Sequence, residues 1–409
     1  MPIIQSLLDT DFYKLMMGQL VFKLYADIPV KYAFKNRTKD IRLADIIDET
    51  ELRRELDHVR TLRFNNSELH YLRGTNEYQE RMFAEDYLMF LKNLQLPEYH
   101  LEIIDGNYKL EFSGHWAKAI YWEIPALAIV NELYFRGLMK NKSRFEKDHL
   151  RAEGIQRLSN KINLLHWCPN IIFTDFGTRR RFSRPWQDYV VRTMAQELPK
   201  QFIGTSNTAL AMKYGLLPMG TSAHEMDMVA AAAAGKTDRG ILRAHQRVLR
   251  NWWKQYGWDL SIALTDTFGT DFFFRDMTTE QAHSWKGLRQ DSGDPIVFGE
   301  KAIAFYKKRG VDPRDKLLIF SDGLDIAAMM KISMHFAKRI KVTFGWGTNL
   351  TNDVGLKPLS LVIKIVEANG HPAVKLSDNL AKAIGDPAEV ERYKHIFGYT
   401  QNYYEECKY

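Results

Sequence analysis

Cysteine is nearly absent: the 409 residues include two, Cys168 and Cys407. Two thiols so far apart build neither a disulfide framework nor a structural zinc site. They read as free thiols in a reducing compartment, so a cytoplasmic location is expected. Long apolar runs are missing as well, and no window is long and uncharged enough to span a bilayer. The stretch MPIIQSLLDTDFYK has no basic n-region and carries two early aspartates, so no secretory leader is expected. Low-complexity segments, internal repeats and Pro/Gly/Ser-rich linkers are also lacking. Charge of one sign is nowhere concentrated: 57 basic and 50 acidic residues give a net +7, and only RTLR, TRRRFSR and YKKRG are locally basic. That distribution fits a solvated surface with a site for small anions, and no nucleic-acid partner is expected.

What is present is an ordinary globular composition, 45% hydrophobic and 26% charged, in a chain long enough for more than one domain. Up to about residue 150, helical stretches such as YLMFLKNLQL mix with strand-like runs. VKYAFKNR is one such run, and HLEIIDGNYKLEFSG is another, broken by a turn at Asp-Gly-Asn. From about residue 165 a new pattern recurs. A short apolar run ends in a small polar loop, and a helical stretch follows: NIIFTDFGTRR, KQFIGTSNTALAMK, LLPMGTSAHEMD, SIALTDTFGTD, KGLRQDSGDP, KLLIFSDGLD and KVTFGWGTNL. Strands alternating with helices imply a parallel sheet, as a closed or nearly closed barrel or as a doubly wound sheet. In either architecture ligands bind at the carboxyl ends of the strands, where every one of these polar clusters falls. After Gly355, KPLSLVIKIVEANGHPAVKL alternates like antiparallel strands. The expected division is an N-terminal α/β domain over 1–160, a catalytic barrel over 161–355, and a segment 356–409 that packs back on the first domain.

FSDGLD and FGWGTN are small-residue loops after apolar runs, suited to an anion near backbone N–H groups. In RQDSGDP, Arg289, Asp291 and Asp294 surround Ser-Gly. The arginine suits phosphate, and the aspartates suit sugar hydroxyls or Mg²⁺ through water; a turn with an Asx bond and a surface ion pair is the plainer reading. Asp266, in LTDTFGTD, is either a carboxylate for a developing cationic carbon or a helix N-cap. In GTSAHEMD, Ser222 and Glu225 have capping-box spacing, so a helix is expected to start there with His224 in its first turn. The macrodipole disfavours imidazolium at that position, leaving a neutral ring that can take a phosphoryl group.

Together these motifs, from LLDTDFYKLMMGQ through TDFGTRRRFS, FIGTSNTALA, MGTSAHE, LTDTFGTDFF, RQDSGDP, FSDGLD and FGWGTN, resemble bacterial nicotinate phosphoribosyltransferases over almost the whole chain. The resemblance implies an irregular seven-stranded α/β barrel of the type II phosphoribosyltransferases, beside an N-terminal α/β domain completed by C-terminal strands. It implies that nicotinate and phosphoribosyl pyrophosphate give nicotinate mononucleotide and diphosphate, a salvage step toward NAD. It further implies coupling to ATP hydrolysis through a phosphohistidine at His224, as in an ATP-dependent ligase forming a C–N bond. It matches Tyr13 and Phe176 to the aromatics that sandwich the pyridine ring. Arg179 matches the arginine for the carboxylate or phosphates. Arg289 and Asp291 match the diphosphate and ribose ligands. Gly323, Gly345, Gly347 and Thr348 match the 5′-phosphate loops. Mg²⁺ is expected through the substrate diphosphate and water, with no direct protein ligand. In many relatives the tyrosine matching Tyr13 comes from the second subunit of a dimer, so a homodimer is among the expected partners.

Specificity is expected from the loop Gly204-Thr205-Ser206-Asn207. The sister family that uses nicotinamide carries an aspartate there, which would repel a carboxylate; Ser206 and Asn207 stand in its place. Asp291 is the expected ribose ligand and Asp266 the second carboxylate. Nicotinamide or quinolinate transferases remain alternatives. So does an unrelated sugar-phosphate barrel enzyme, although no strand-end motif offers a lysine for a Schiff base.

Overall fold

The computed structural model describes residues 1–77 and 80–406. Cys407, read above as a free thiol, lies outside the described residues; Cys168 is a free, partly buried thiol. Among the described residues no helix is long and apolar enough to cross a membrane.

The first layer is an antiparallel sheet. Its strands are β1 (Pro29–Asn36), β2 (Tyr99–Ile104), β3 (Asn107–His115), β10 (Leu361–Ala368) and β11 (His371–Pro372), in the order β11-β10-β1-β3-β2. Both hairpins turn on residues with positive φ. Asp105 and Gly106 join β2 to β3 at 50° and 75°, and Asn369 and Gly370 join β10 to β11 at 54° and 75°. Asp-Gly and Asn-Gly adopt that conformation cheaply, and its twist suits a two-residue hairpin. β10 pairs with β1 across more than 300 residues of chain, with Phe34 opposite Ile363.

The second layer is parallel. β4 (Phe173–Asp175), β5 (Phe202–Thr205), β6 (Ile262–Leu264), β7 (Gly287–Gln290), β8 (Leu317–Phe320) and β9 (Lys341–Trp346) lie in the order β5-β4-β9-β8-β7-β6. These are six of the seven expected units. The seventh, LLPM, adds a single parallel bridge, Thr205 to Pro218, at the outer edge of β5. Pro218 has no N–H to extend a ladder, which accounts for the irregular seventh position.

Three of the helices that follow parallel strands start on a side-chain cap. Asn207 accepts from the Leu210 N–H, Asp325 from Ala328, and Asp294 from Ile296 and Val297, with Pro295 at the first helical position. Asp294 is therefore a cap of its helix. The helix His224–Ala233 also begins where expected, but Ala223 is its N-cap and no side chain caps it. The capping box expected from Ser222 and Glu225 does not form, because the Glu225 carboxylate is turned into the first domain.

The two layers share one apolar core and are stitched at the strand ends. Phe12 N–H donates to the Ser206 carbonyl at 2.7 Å, and Asp11 forms a bridge with Asn207. Arg181 forms two hydrogen bonds with Asp9, at 2.7 and 2.8 Å, both side chains being buried. From the other end of the chain, residues 373–384 leave the first sheet and cross onto the strand-end loops, where Leu376 N–H donates to the Thr267 carbonyl.

Candidate active site at the strand ends

A cavity with an empty volume of about 1240 Å³, its open mouth included, lies at the carboxyl ends of the parallel strands. His224 enters from the start of its helix and is 4% exposed. Its Nε2 lies 3.0 Å from Asp291 Oδ2 and 3.8 Å from Asp266 Oδ1, and its Nδ1 lies 3.0 Å from Thr267 Oγ1. Burial pushes the imidazole down to about 4, the Lys375 ammonium adds to this, and the two aspartates only partly oppose it. The ring is therefore neutral at neutral pH, as expected, but burial is the largest cause. Burial would raise Asp291, yet the bond from His224 and the charge of Arg289 outweigh it and hold the carboxyl well below its usual range. With Asp291 ionised, the neutral ring places its proton on Nε2 and leaves Nδ1 unprotonated beside Thr267, whose hydroxyl donates to Asp227 Oδ2 at 3.2 Å.

Asp291 Oδ1 also accepts from Ser321 at 3.0 Å. Arg289 donates to the Ser222 carbonyl, which ties the RQDSGDP loop to the GTSAH loop. Asp266 is 1% exposed and stands behind this pair instead of lining the cavity. It accepts from Ser292 at 2.6 Å and lies 3.6 Å from Lys375.

The two glycine loops are neighbours because β8 and β9 pair in parallel. Asn349 Nδ2 reaches across to the Leu324 carbonyl at 2.9 Å. Gly323, Gly345, Gly347 and Thr348 all line the cavity. Gly323 has φ +57°, a left-handed turn position. Gly345 has a different role: a Cβ there would sit 2.4 Å from the Phe176 ring, so this glycine leaves room for the aromatic.

Tyr13, Phe176, Arg179 and Ser206 line the same cavity, all from this one chain. Asn207 does not line it; its side chain donates to Asp9 and caps the following helix. Of the arginine run, Arg179 and Arg180 reach the cavity, and Arg181 is consumed by Asp9. Burial and hydrogen bonding likewise commit Asp175, which is held up to about 6 by burial and bonded to Thr205, Gln187 and Gly177.

The chain matches two family models: the nicotinate phosphoribosyltransferase family over residues 171–401, and the N-terminal domain of that family over residues 8–131. The chain belongs to the nicotinate phosphoribosyltransferase family. Crystal structures described as nicotinate phosphoribosyltransferases agree with it over nearly their whole length. The one from Porphyromonas gingivalis is 32% identical, with a TM-score of 0.83, covering 97% of this chain and all of that one. The one from Vibrio cholerae is 32% identical, with a TM-score of 0.86, covering 98% and 95%.

Within this family frame, several cavity residues are ones the sequence motifs did not single out. Asp11 comes from the N-terminal segment and accepts from Ser206 Oγ at 2.7 Å, so an acid does reach the loop that has none of its own. Arg37 follows the end of β1, Lys364 lies in β10, and Lys375 and Lys382 lie in the crossing C-terminal segment. Burial brings Lys364 down to about 8 against the pull of Glu123. Lys382 pairs with Asp322 and donates to the Asp291 carbonyl at 3.0 Å. The absence of lysine from the strand-end motifs therefore did not mean its absence from the site. The only signal was Lys364, a cation in the otherwise apolar LVIKIV.

Among the described residues no three or more His, Cys, Asp or Glu side chains cluster as a metal site. The donors present, the Asp291 and Asp322 carboxylates beside the Ser321 hydroxyl, fit an Mg²⁺ ion held largely by substrate oxygens and water.

Proposed function

We propose that this chain transfers the phosphoribosyl group of phosphoribosyl pyrophosphate to nicotinate, with ATP hydrolysed through a phosphohistidine at His224. The observation that carries the reading is one cavity lined by His224 and Asp291, 3.0 Å apart, by two neighbouring glycine loops, and by Phe176, Tyr13 and Arg179. Phe176 and Tyr13 orient the pyridine ring, and Arg179 takes its carboxylate. The pyridine nitrogen bonds to the anomeric carbon as the C–O bond to diphosphate breaks, and diphosphate leaves with the electron pair. Positive charge develops on the ribose, where Asp291, with Asp266 behind it, lowers its energy. The leaving diphosphate meets Arg289 and, on the opposite wall, Lys375 and Lys382, while Lys364 stands beside Arg179 for the carboxylate. Mg²⁺, when bound, supplies further neutralisation of that diphosphate, with Asp291 and Asp322 as its available carboxylates.

His224 has no part in that bond. Its task is to accept the γ-phosphoryl of ATP at a ring nitrogen: a P–N bond forms, the bridging P–O bond breaks, and ADP departs. A neutral imidazole beside several cations is the form this transfer requires. Phosphorylation then shifts the protein toward a state that binds substrates tightly, and hydrolysis releases products. Discrimination against nicotinamide rests on Arg179 and on the lack of an acid in the Ser206 loop, with Asp11 working against it. A cytoplasmic location and a homodimer complete the reading.

Incubation with γ-labelled ATP, beside a His224→Ala variant, tests it. Acid-labile label on the wild type alone, with mononucleotide made from nicotinate, is the expected result. Mononucleotide without label removes the phosphohistidine but keeps the transferase. Faster turnover of nicotinamide or quinolinate in the same assay reassigns the substrate.

A further inference from the structure

The first turn of the His224 helix is held from outside the barrel. Glu225, next to His224, extends its carboxylate into the first domain. There it accepts from Trp116 Nε1 at 2.6 Å, from the Tyr32 hydroxyl, and from Lys14 Nζ at 2.5 Å. Lys14 is fully buried, and its ammonium also lies 2.7 Å from Glu123. Glu123 in turn faces Arg179 at 3.4 Å and Lys364 at 3.3 Å, and both of those cations line the cavity. A row of alternating charges thus runs from the cavity to the residue beside His224. Lys14 is its middle member and does not itself line the cavity.

We propose that Lys14 is a positioning residue that couples occupation of the Arg179–Lys364 subsite by the pyridine carboxylate to the first turn of the His224 helix. The identity of that carboxylate rests on the function proposed above.

The physical basis is competition for shared partners. Lys14 sits between two carboxylates at nearly equal distances. A substrate carboxylate at Arg179 and Lys364 draws part of their charge away from Glu123. Glu123 then holds Lys14 more strongly, and the hold of Lys14 on Glu225 weakens. Little water is present to screen these changes, so each is passed to the next member of the row. Glu225 is the second residue of the helix, so the change arrives at the turn that carries His224. Linkage makes the effect reciprocal: whatever nicotinate does to that turn, a change at His224 does to nicotinate affinity by the same factor.

The test is amide hydrogen exchange over residues 220–233 with and without nicotinate at a concentration shown by calorimetry to saturate the site. In the wild type, nicotinate is expected to change exchange in the first turn by about fivefold, the lower range of allosteric couplings. In Lys14→Met, nicotinate still binds and that change disappears; Lys14→Arg restores it. If Lys14→Met does not fold, Glu225→Gln decides the matter, since its amide oxygen still accepts from Trp116 and Tyr32 while the charge is gone. An undiminished change in either folded variant overturns the proposal, as does nicotinate binding to the wild type with no change. Failure of the wild type to bind nicotinate sinks the substrate assignment, and the coupling falls with it.

Discussion

On one wall of the cavity, Asp291, Ser321, Gly323, Gly345 and Thr348 stand at the carboxyl ends of parallel strands, within β9 or within a few residues after the strand that positions each. On the other wall, Arg37 follows β1, Lys364 lies in β10, and Lys375 and Lys382 lie in the C-terminal crossing, and none lies in a glycine-rich motif. The first wall carries hydroxyls, carboxylates and close backbone approaches, which the proposed reaction uses for ribose and its phosphate. The second carries long cations, which the proposed reaction uses for diphosphate at Lys375 and Lys382 and for the carboxylate at Lys364. Geometry at the anomeric carbon demands short, fixed groups, whereas a polyanion is satisfied by flexible charges from any direction.

Breaking the strand-end wall is expected to cost most. Asp291→Asn should lower kcat for mononucleotide formation by about 10²–10³, the usual loss when one preorganised charge-stabilising group is removed. An unchanged kcat would move the ribose role to another residue. Next comes the cationic wall. Lys382→Met should raise the KM for phosphoribosyl pyrophosphate about tenfold or more, as the loss of roughly 1.5–3 kcal/mol for a bond to a charged group implies, with kcat changed far less. Steady-state kinetics separates the two walls: a fall in kcat from Lys382→Met equal to that from Asp291→Asn would erase the distinction between them.

Gly345→Ala probes the boundary between the walls. Its Cβ would meet the Phe176 ring at 2.4 Å. Displacing the ring should raise the KM for nicotinate several-fold, within the ~1–3 kcal/mol of overpacking, and leave that for phosphoribosyl pyrophosphate nearly unchanged. The reverse pattern would assign this glycine to the phosphate.

The smallest expected effect concerns pH. Burial holds His224 at about 4 in the folded chain against 6.5 ordinarily. Between those values the unfolded chain binds the extra proton, so this group makes stability rise with pH from about 4 to about 6.5 and adds nothing further above. Asp227, held up to about 6 by burial, acts in the opposite sense over the lower part of that range. Urea unfolding of His224→Gln beside the wild type isolates the histidine. The stability difference between them should vary with pH below about 6.5 and be constant above it.

The sequence by itself determined the alternating strand–loop–helix pattern, the Asp-Gly hairpin turn and the strand-end motifs. The rules behind these act over a few residues: a glycine for a positive φ, an aspartate for a helix cap, a polar loop after an apolar run. Even there, plain local roles won at Asp294 and Asn207, which are caps. Only the tertiary structure decided the rest. It paired β10 with β1, and so carried Lys364 to the cavity. It turned Glu225 away from a capping box, because two buried donors and a buried lysine stabilise its carboxylate better than one backbone N–H beside Ser222. It gave Arg181 to Asp9 and left Arg179 for the site. In each case the outcome depends on which charged groups are buried together, and burial joins residues that are far apart along the chain.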